Sequence, residues 1–170
     1  MSRAPLIGET EIALRVAEIA RAIASRTPRI DLVVPILTGA FVFAADLVRA
    51  LAREGMDVPV EFISLSRYGK ARDGDPEIRV RMASSENIAG RHVLLVDGVL
   101  DHGHTLAKAR AMLSESGAAS IAIAVAVDKI RKSALLKANY AAFTGIDAFI
   151  VGYGMDDAGF GRGLPFIARV

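Results

Sequence analysis

HVLLVDGVLDHGHTL, His92 to Leu106, is the stretch on which the reading turns. Its first residues, His92 to Val96, read as a buried strand. Thr105 to Ser116 reads as a helix closed by Gly117. Between them stand Asp97, Asp101, Gly103 and Thr105. That order suits an anion. The first turn of a helix carries unpaired N–H groups and a partial positive charge. A glycine lets the backbone fold tightly round an anion, and a threonine hydroxyl adds a donor. Two carboxylates on the strand side cannot bind phosphate. They suit ribose hydroxyls, a Mg²⁺ ion or a proton-accepting role. A plainer reading is equally open on spacing alone, in which Thr105 caps a helix and the aspartates are solvated loop residues. Neither G-x-x-x-x-G-K-[ST] nor G-x-G-x-x-G occurs.

Outward from this stretch the chain alternates strands and helices. Glu9 to Ser25 places Ile12, Val16, Ile19, Ala20 and Ile23 on one helix face, with Pro28 as its stop. Ile30 to Leu37 reads as a buried strand, Phe41 to Arg53 as a helix ended by Gly55, and Val58 to Leu65 as a second strand. Ser66 to Glu77, SRYGKARDGDPE, is polar, with two glycines and a proline. Long loops within compact domains are uncommon and often functional. Ile78 to Met82 returns as a strand, and Ile121 to Val127 reads as one buried on both faces. The pattern predicts an α/β fold with a mostly parallel central sheet and helices on both faces. In such sheets ligands bind beyond the carboxyl ends of the strands.

Composition bounds the chemistry. The 170 residues fit one domain. Zero cysteine excludes disulfide scaffolds, thiolate zinc sites and cysteine nucleophiles. With 21 basic and 19 acidic residues the net charge is +2, which argues no nucleic-acid partner. Met1 to Gly8 carries no secretory signal. The longest apolar stretch, Ala118 to Val127, is interrupted by Ser120 and is too short to span a bilayer, so no membrane and a cytoplasmic location are expected.

LLVDGVLDHGHTL resembles the phosphoribosyl-diphosphate (PRPP) signature of type I phosphoribosyltransferases: apolar residues, two acids, two apolar residues, then Asp-Thr-Gly-x-Thr. Four further segments are similar, in order, to the hypoxanthine/guanine branch. They are VPILTGAFVFAADLVRAL (Val34 to Leu51), VEFISLSRYG (Val60 to Gly69), VDKIRKS (Val127 to Ser133) and FIVGYGMDDAGFGRGLPFI (Phe149 to Ile167). The resemblance covers most of the chain from about residue 30. It implies the type I phosphoribosyltransferase fold as a single unit over residues 1–170, with a lid at about 66–77 and a small hood at about 149–170.

The resemblance also implies roles. Asp101 matches the general acid/base near N7 of the purine. His102, Gly103, His104 and Thr105 match the 5′-phosphate loop. Asp97 matches a ribose contact associated with Mg²⁺, and Asp156 a second Mg²⁺-associated carboxylate. Leu37, Thr38 and Gly39 match the pyrophosphate loop, with a non-proline cis bond expected between Leu37 and Thr38, and Arg162 matches the arginine that reaches pyrophosphate. Lys129 matches the lysine on the purine 6-oxo group, Phe149 the stacking aromatic and Ile150 a backbone contact to the base. Arg67 and Tyr68 fall in the lid. The implied activity is transfer of the phosphoribosyl group from PRPP to N9 of hypoxanthine or guanine in purine salvage, by a homodimer or homotetramer. The helix from Phe41 to Leu51 is a candidate interface or packs inside.

Three positions depart from the pattern. Asp97 is followed by Gly98, where the signature has a second acid. His102 replaces the usual Thr, and Arg67 the usual Ser before Tyr68. The alternative reading is therefore a PRPP- or nucleotide-binding regulatory protein with little turnover. A third, a metal-dependent hydrolase built on His102 and His104, needs a bound transition metal. His92 reads as structural or exposed.

Overall fold

The computed structural model describes residues 4–68, 77–82 and 88–170, with only the backbone described for 66–68 and 77–82. In chain order the elements are β1 (Pro5–Ile7), α1 (Glu9–Ala24), β2 (Leu32–Leu37), α2 (Phe41–Arg53), β3 (Ile63–Tyr68) and β4 (Glu77–Met82). Then follow β5 (His92–Leu100), α3 (His104–Glu115), β6 (Ser120–Asp128), β7 (Tyr140–Thr144), β8 (Ile150–Val151) and β9 (Ile167–Arg169).

Six strands form the central sheet in the order β4-β3-β2-β5-β6-β7. Neighbours from β3 to β7 run parallel and β4 runs antiparallel to β3. Alternation along each strand sends side chains to opposite faces. Val33, Leu94, Val96, Ala122 and Ala124 face α1 and α2, where Ile12, Val16, Ile23, Phe43, Leu47 and Leu51 meet them. Leu32, Val34, Leu95, Ile123 and Val125 face α3, which presents Leu106, Ala109 and Leu113. Both faces are thus covered, which is why β5 and β6 read as continuous apolar runs.

The expected elements hold with shifted bounds. The first helix stops at Ala24, four residues before Pro28, with Ser25 as its C-cap. The strand expected over Val58 to Leu65 is regular only from Ile63, although Val60 bridges Val33. β5 runs on through Asp97 to Leu100, so the first acid lies within the strand, not after it. Of the expected lid, Ser66 to Tyr68 extend β3 and Glu77 opens β4, while residues 69–76 lie outside the described residues. One face of α2 packs inside through Phe43, Ala44, Leu47, Ala50 and Leu51, and Phe41 remains 44% exposed. His92 is structural, with its ring Nδ1 2.9 Å from Ser120 Oγ.

Two features escaped the sequence. β7, YAAFT, completes the sheet edge. The small three-stranded sheet, β1-β9-β8, draws its outer strand from the N-terminus rather than from residues 149–170 alone. The chain leaves β2 for β3 on one side and β5 lies on the other, so the order reverses beside β2. Ligand crevices form where such reversals occur, at the carboxyl ends of the strands. Here those ends are Leu37 and Leu100.

Candidate active site

A cavity of about 520 Å³ opens at this reversal point. Its walls come from three places. The end of β2 supplies Leu37, Thr38 and Gly39. The β5–α3 turn supplies Asp97, Asp101, His102, Gly103, His104 and Thr105. Lys129, Phe149, Ile150, Asp156 and Arg162 complete the cavity. Every site residue expected from the sequence lines this one cavity, apart from Arg67 and Tyr68. Those two end β3, and their side chains lie outside the described residues.

The β5–α3 turn is built on Gly103, which is the N-cap of α3 with φ 84° and ψ 12°. A Cβ there would meet Leu100 Cδ1 at 3.1 Å, so glycine answers both the left-handed backbone and the close approach. Thr105 is not the cap; it lies inside the first turn, and the cap, Gly103, has no side chain to offer the first N–H groups. The helix N-terminus therefore faces the cavity with its own dipole. The segment after β6 docks on this turn through Lys129 N–H to the Leu100 carbonyl (3.0 Å) and Leu135 N–H to the His102 carbonyl (2.9 Å).

That docking brings cations to Asp101. Lys129 Nζ donates to Asp101 Oδ2 at 2.9 Å, and Arg131 Nε donates to Oδ1 at 2.9 Å. Burial pushes the Asp101 carboxyl up, but the hydrogen bonds and charges of Lys129 and Arg131 outweigh it and hold it below the usual aspartate value. The group is therefore an ionised acceptor. Arg131 was not singled out in the sequence. Its signal there was only its spacing from Lys129.

Across the cavity Arg162 is fixed by donating to the Gly154 carbonyl (2.8 Å) and to Asp156 Oδ1 (2.7 Å). Asp156 Oδ2 accepts from Gly159 N–H at 2.7 Å. Phe149 is 57% exposed and lines the cavity, while its carbonyl accepts from Val170 N–H (3.0 Å). A large aromatic face left open beside a buried lysine suits a flat heterocycle. The Leu37–Thr38 peptide is cis, as expected.

A cation bound here would meet carboxylates on an open wall. Asp97 Oδ1 accepts from Gly98 N–H at 2.7 Å, and Asp156 is shared with Arg162. Among the described residues, no group of three or more acids or histidines could hold a metal by itself. Mg²⁺ is commonly held by one or two carboxylates together with substrate phosphates and water, so this donor set fits it. His102 and His104 lie stacked with ring centroids 6.3 Å apart, without a third ligand among the described residues.

Comparison with known proteins points one way. The phosphoribosyl transferase domain family matches residues 9–158. Hypoxanthine phosphoribosyltransferase of Haemophilus influenzae is 34% identical over 170 residues, covering 97% of this chain and 93% of its own. A crystal structure of a hypoxanthine-guanine phosphoribosyltransferase from Bacillus anthracis superposes with a TM-score of 0.90 at 34% identity, covering 100% of this chain and 99% of that one. Hypoxanthine phosphoribosyltransferase from Trypanosoma cruzi, in complex with the product IMP, gives 0.87 at 30% identity, covering 98% and 92%.

Proposed function

The chain belongs to the phosphoribosyltransferase family, in its hypoxanthine/guanine branch, and from that premise we propose how its cavity performs the transfer. The protein is an enzyme that moves the 5-phosphoribosyl group of PRPP to N9 of a 6-oxopurine, releasing pyrophosphate, in purine salvage. One observation carries the assignment of residues: the Lys129–Asp101 pair stands in the same cavity as the Phe149 face and the Gly103 turn. A flat base on Phe149 meets a fixed cation for its 6-oxo group and a carboxylate for its N7 proton. A base with a 6-amino donor would meet the same cation unfavourably, which selects against adenine.

The phosphate end is read in the same way. The α3 N-terminus with His102 to Thr105 holds the 5′-phosphate. Asp97 holds ribose hydroxyls, and Leu37, Thr38 and Gly39 with Arg162 hold pyrophosphate. Asp97 is the carboxylate that would hold Mg²⁺, with Asp156 able to join it by sharing with Arg162. Mg²⁺ held there would supply positive charge against the leaving pyrophosphate. Displacement builds negative charge on that group, and Arg162 and backbone N–H groups stabilise it. Asp101 accepts the N7 proton as N9 bonds to the anomeric carbon. The lid expected over about 66–77 would keep water from PRPP.

The unit spans residues 1–170, acts in the cytoplasm and assembles as a homodimer or homotetramer. No helix among the described residues is long and apolar enough to cross a membrane. A second reading, a PRPP- or nucleotide-binding protein with weak turnover, draws support from Gly98 alone. A Mg²⁺/PRPP assay over hypoxanthine, guanine, xanthine and adenine tests both. Nucleotide from a 6-oxopurine but not from adenine is expected. Tight PRPP binding by calorimetry without product would favour the second reading.

A further inference from the structure

Both oxygens of Asp101 are held by cations from one corner of the chain, the turn after β6. Lys129 takes Oδ2 and Arg131 takes Oδ1. Residues two apart share a face only in a regular strand, and β6 has already ended at Asp128. Here Ile130, between them, has φ 52°, a backbone conformation that a β-branched residue rarely adopts. Its N–H donates to Asp128 Oδ1 at 2.8 Å, which holds the turn. The turn is what lets both cations reach one carboxylate.

The two cations are not equivalent. The Lys129 side chain is 8% exposed and lines the cavity. Arg131 is one-third exposed and is not among the residues that line the cavity; its second nitrogen donates to Asp147 at 2.7 Å. Asp147 is two residues before Phe149. A row of charges thus runs from the cavity through Lys129, Asp101 and Arg131 to Asp147.

We propose that Arg131 is a positioning residue for the transfer: it fixes the orientation of the Asp101 carboxylate before the base arrives, and Asp147 fixes Arg131. The kinetic part of this role rests on the phosphoribosyl-transfer reading. The groups facing Asp101 are the cations Lys129 and Arg131 from the turn after β6, and the imidazole of His102 from its own loop. His102 Nδ1 lies 3.4 Å from the same Oδ1 that Arg131 occupies. Asp147 acts through Arg131. With Lys129 alone, the carboxylate is tied by one oxygen and turns about that bond. The proton-accepting atom then loses its aim, and the carboxylate holds a proton more readily.

The test is the Asp101 carboxyl titration by ¹³C NMR, run beside pH profiles of kcat/KM for hypoxanthine. In Arg131→Gln the titration is expected to rise toward the ordinary aspartate value. The acid limb of kcat/KM should rise with it, and kcat should fall about tenfold. KM for PRPP should stay within about twofold, because Arg131 stands away from the phosphates. Arg131→Lys should recover part of each change by restoring the charge. His102→Gln should move the titration less than Arg131→Gln does. An active enzyme in which Arg131→Gln leaves the titration and the acid limb in place overturns this role alone. A wild-type protein that forms no nucleotide overturns the transfer reading, and this role with it.

Discussion

A Cβ on Gly98 would lie 2.8 Å from the carbonyl oxygen of Gly39. A Cβ on Gly154 would lie 2.7 Å from the same oxygen. The Gly39 peptide is therefore clasped between β5 and the turn that precedes Asp156. The family signature has an acid at position 98, and here the place of its side chain is taken by backbone. Restoring the acid should do harm. Gly98→Asp is expected to cost about 1–3 kcal/mol as overpacking, and kcat/KM for PRPP should fall rather than rise. Thermal unfolding and PRPP titration check this. A Gly98→Asp variant with an unchanged Tm and better PRPP use would sink the idea.

Lys129 is the least exposed partner of Asp101, and both residues line the cavity. Lys129→Met keeps the length and removes the charge. It should lower kcat/KM for hypoxanthine and guanine by about 10²-fold, within the range for losing a hydrogen-bonded charge at a recognition site. The preference over adenine should narrow at the same time. Steady-state assays with the three bases measure both. A loss of rate with discrimination intact would place Lys129 outside base selection.

The fold was legible where burial is two-sided and the turn chemistry is local. VLLV and IAIAVAV could only be buried strands, and helices such as Phe41–Arg53 carried their faces in the pattern. β7 was not legible because an edge strand of five residues, YAAFT, shows neither clean alternation nor a long apolar run. The pairing of β1 with β9 joins the chain's two ends, and nothing local records it. The cavity residues came from order and resemblance. The Arg131 contact did not, because it depends on the positive φ of Ile130, which no propensity assigns to isoleucine.

The lowered Asp101 carboxyl also sets a pH dependence of stability. A carboxyl held below its ordinary value stabilises the fold above that value, and the contribution disappears as pH falls through the folded value. Asp101→Asn removes the group. The stability gap between wild type and Asp101→Asn should be constant near neutrality and should close as pH drops below about 4. Urea midpoints across that range measure it. A gap that persists unchanged into strong acid would mean that ion pairing is not its source.

Tyr153 ties the far side of the cavity to α2. Its hydroxyl donates to Asp46 Oδ2 at 2.7 Å, its ring is buried, and it meets Phe43 edge-on with centroids 6.3 Å apart. Burial and the Asp46 carboxylate push its hydroxyl well above the usual tyrosine value, so it remains a donor throughout the physiological range. Tyr153→Phe should cost about 1.5 kcal/mol, the lower end for a bond to a charged group, because Asp46 is partly solvated and regains water. A Tm drop of roughly 3–6 °C follows for a chain of this size. An unchanged Tm would show that the hydroxyl bond adds nothing beyond the ring's packing.

Arg162 separates the two ends of the substrate experimentally. It is held by the Gly154 carbonyl and Asp156, and it lines the cavity. Gly154 leaves no room for a Cβ beside the Gly39 carbonyl, so Arg162 is anchored next to the loop of the proposed pyrophosphate contacts. Arg162→Ala should weaken pyrophosphate binding by about 2 kcal/mol, roughly thirtyfold, by removing a charge-assisted contact. Binding of GMP, which lacks that group, should change by less than about threefold. Arg162→Lys should recover little, since an ammonium cannot reach both the Gly154 carbonyl and Asp156 with a fixed fork. Calorimetry with pyrophosphate and GMP decides it. Equal losses for both ligands would mean that the substitution loosens the whole cavity wall, and that Arg162 reads no pyrophosphate.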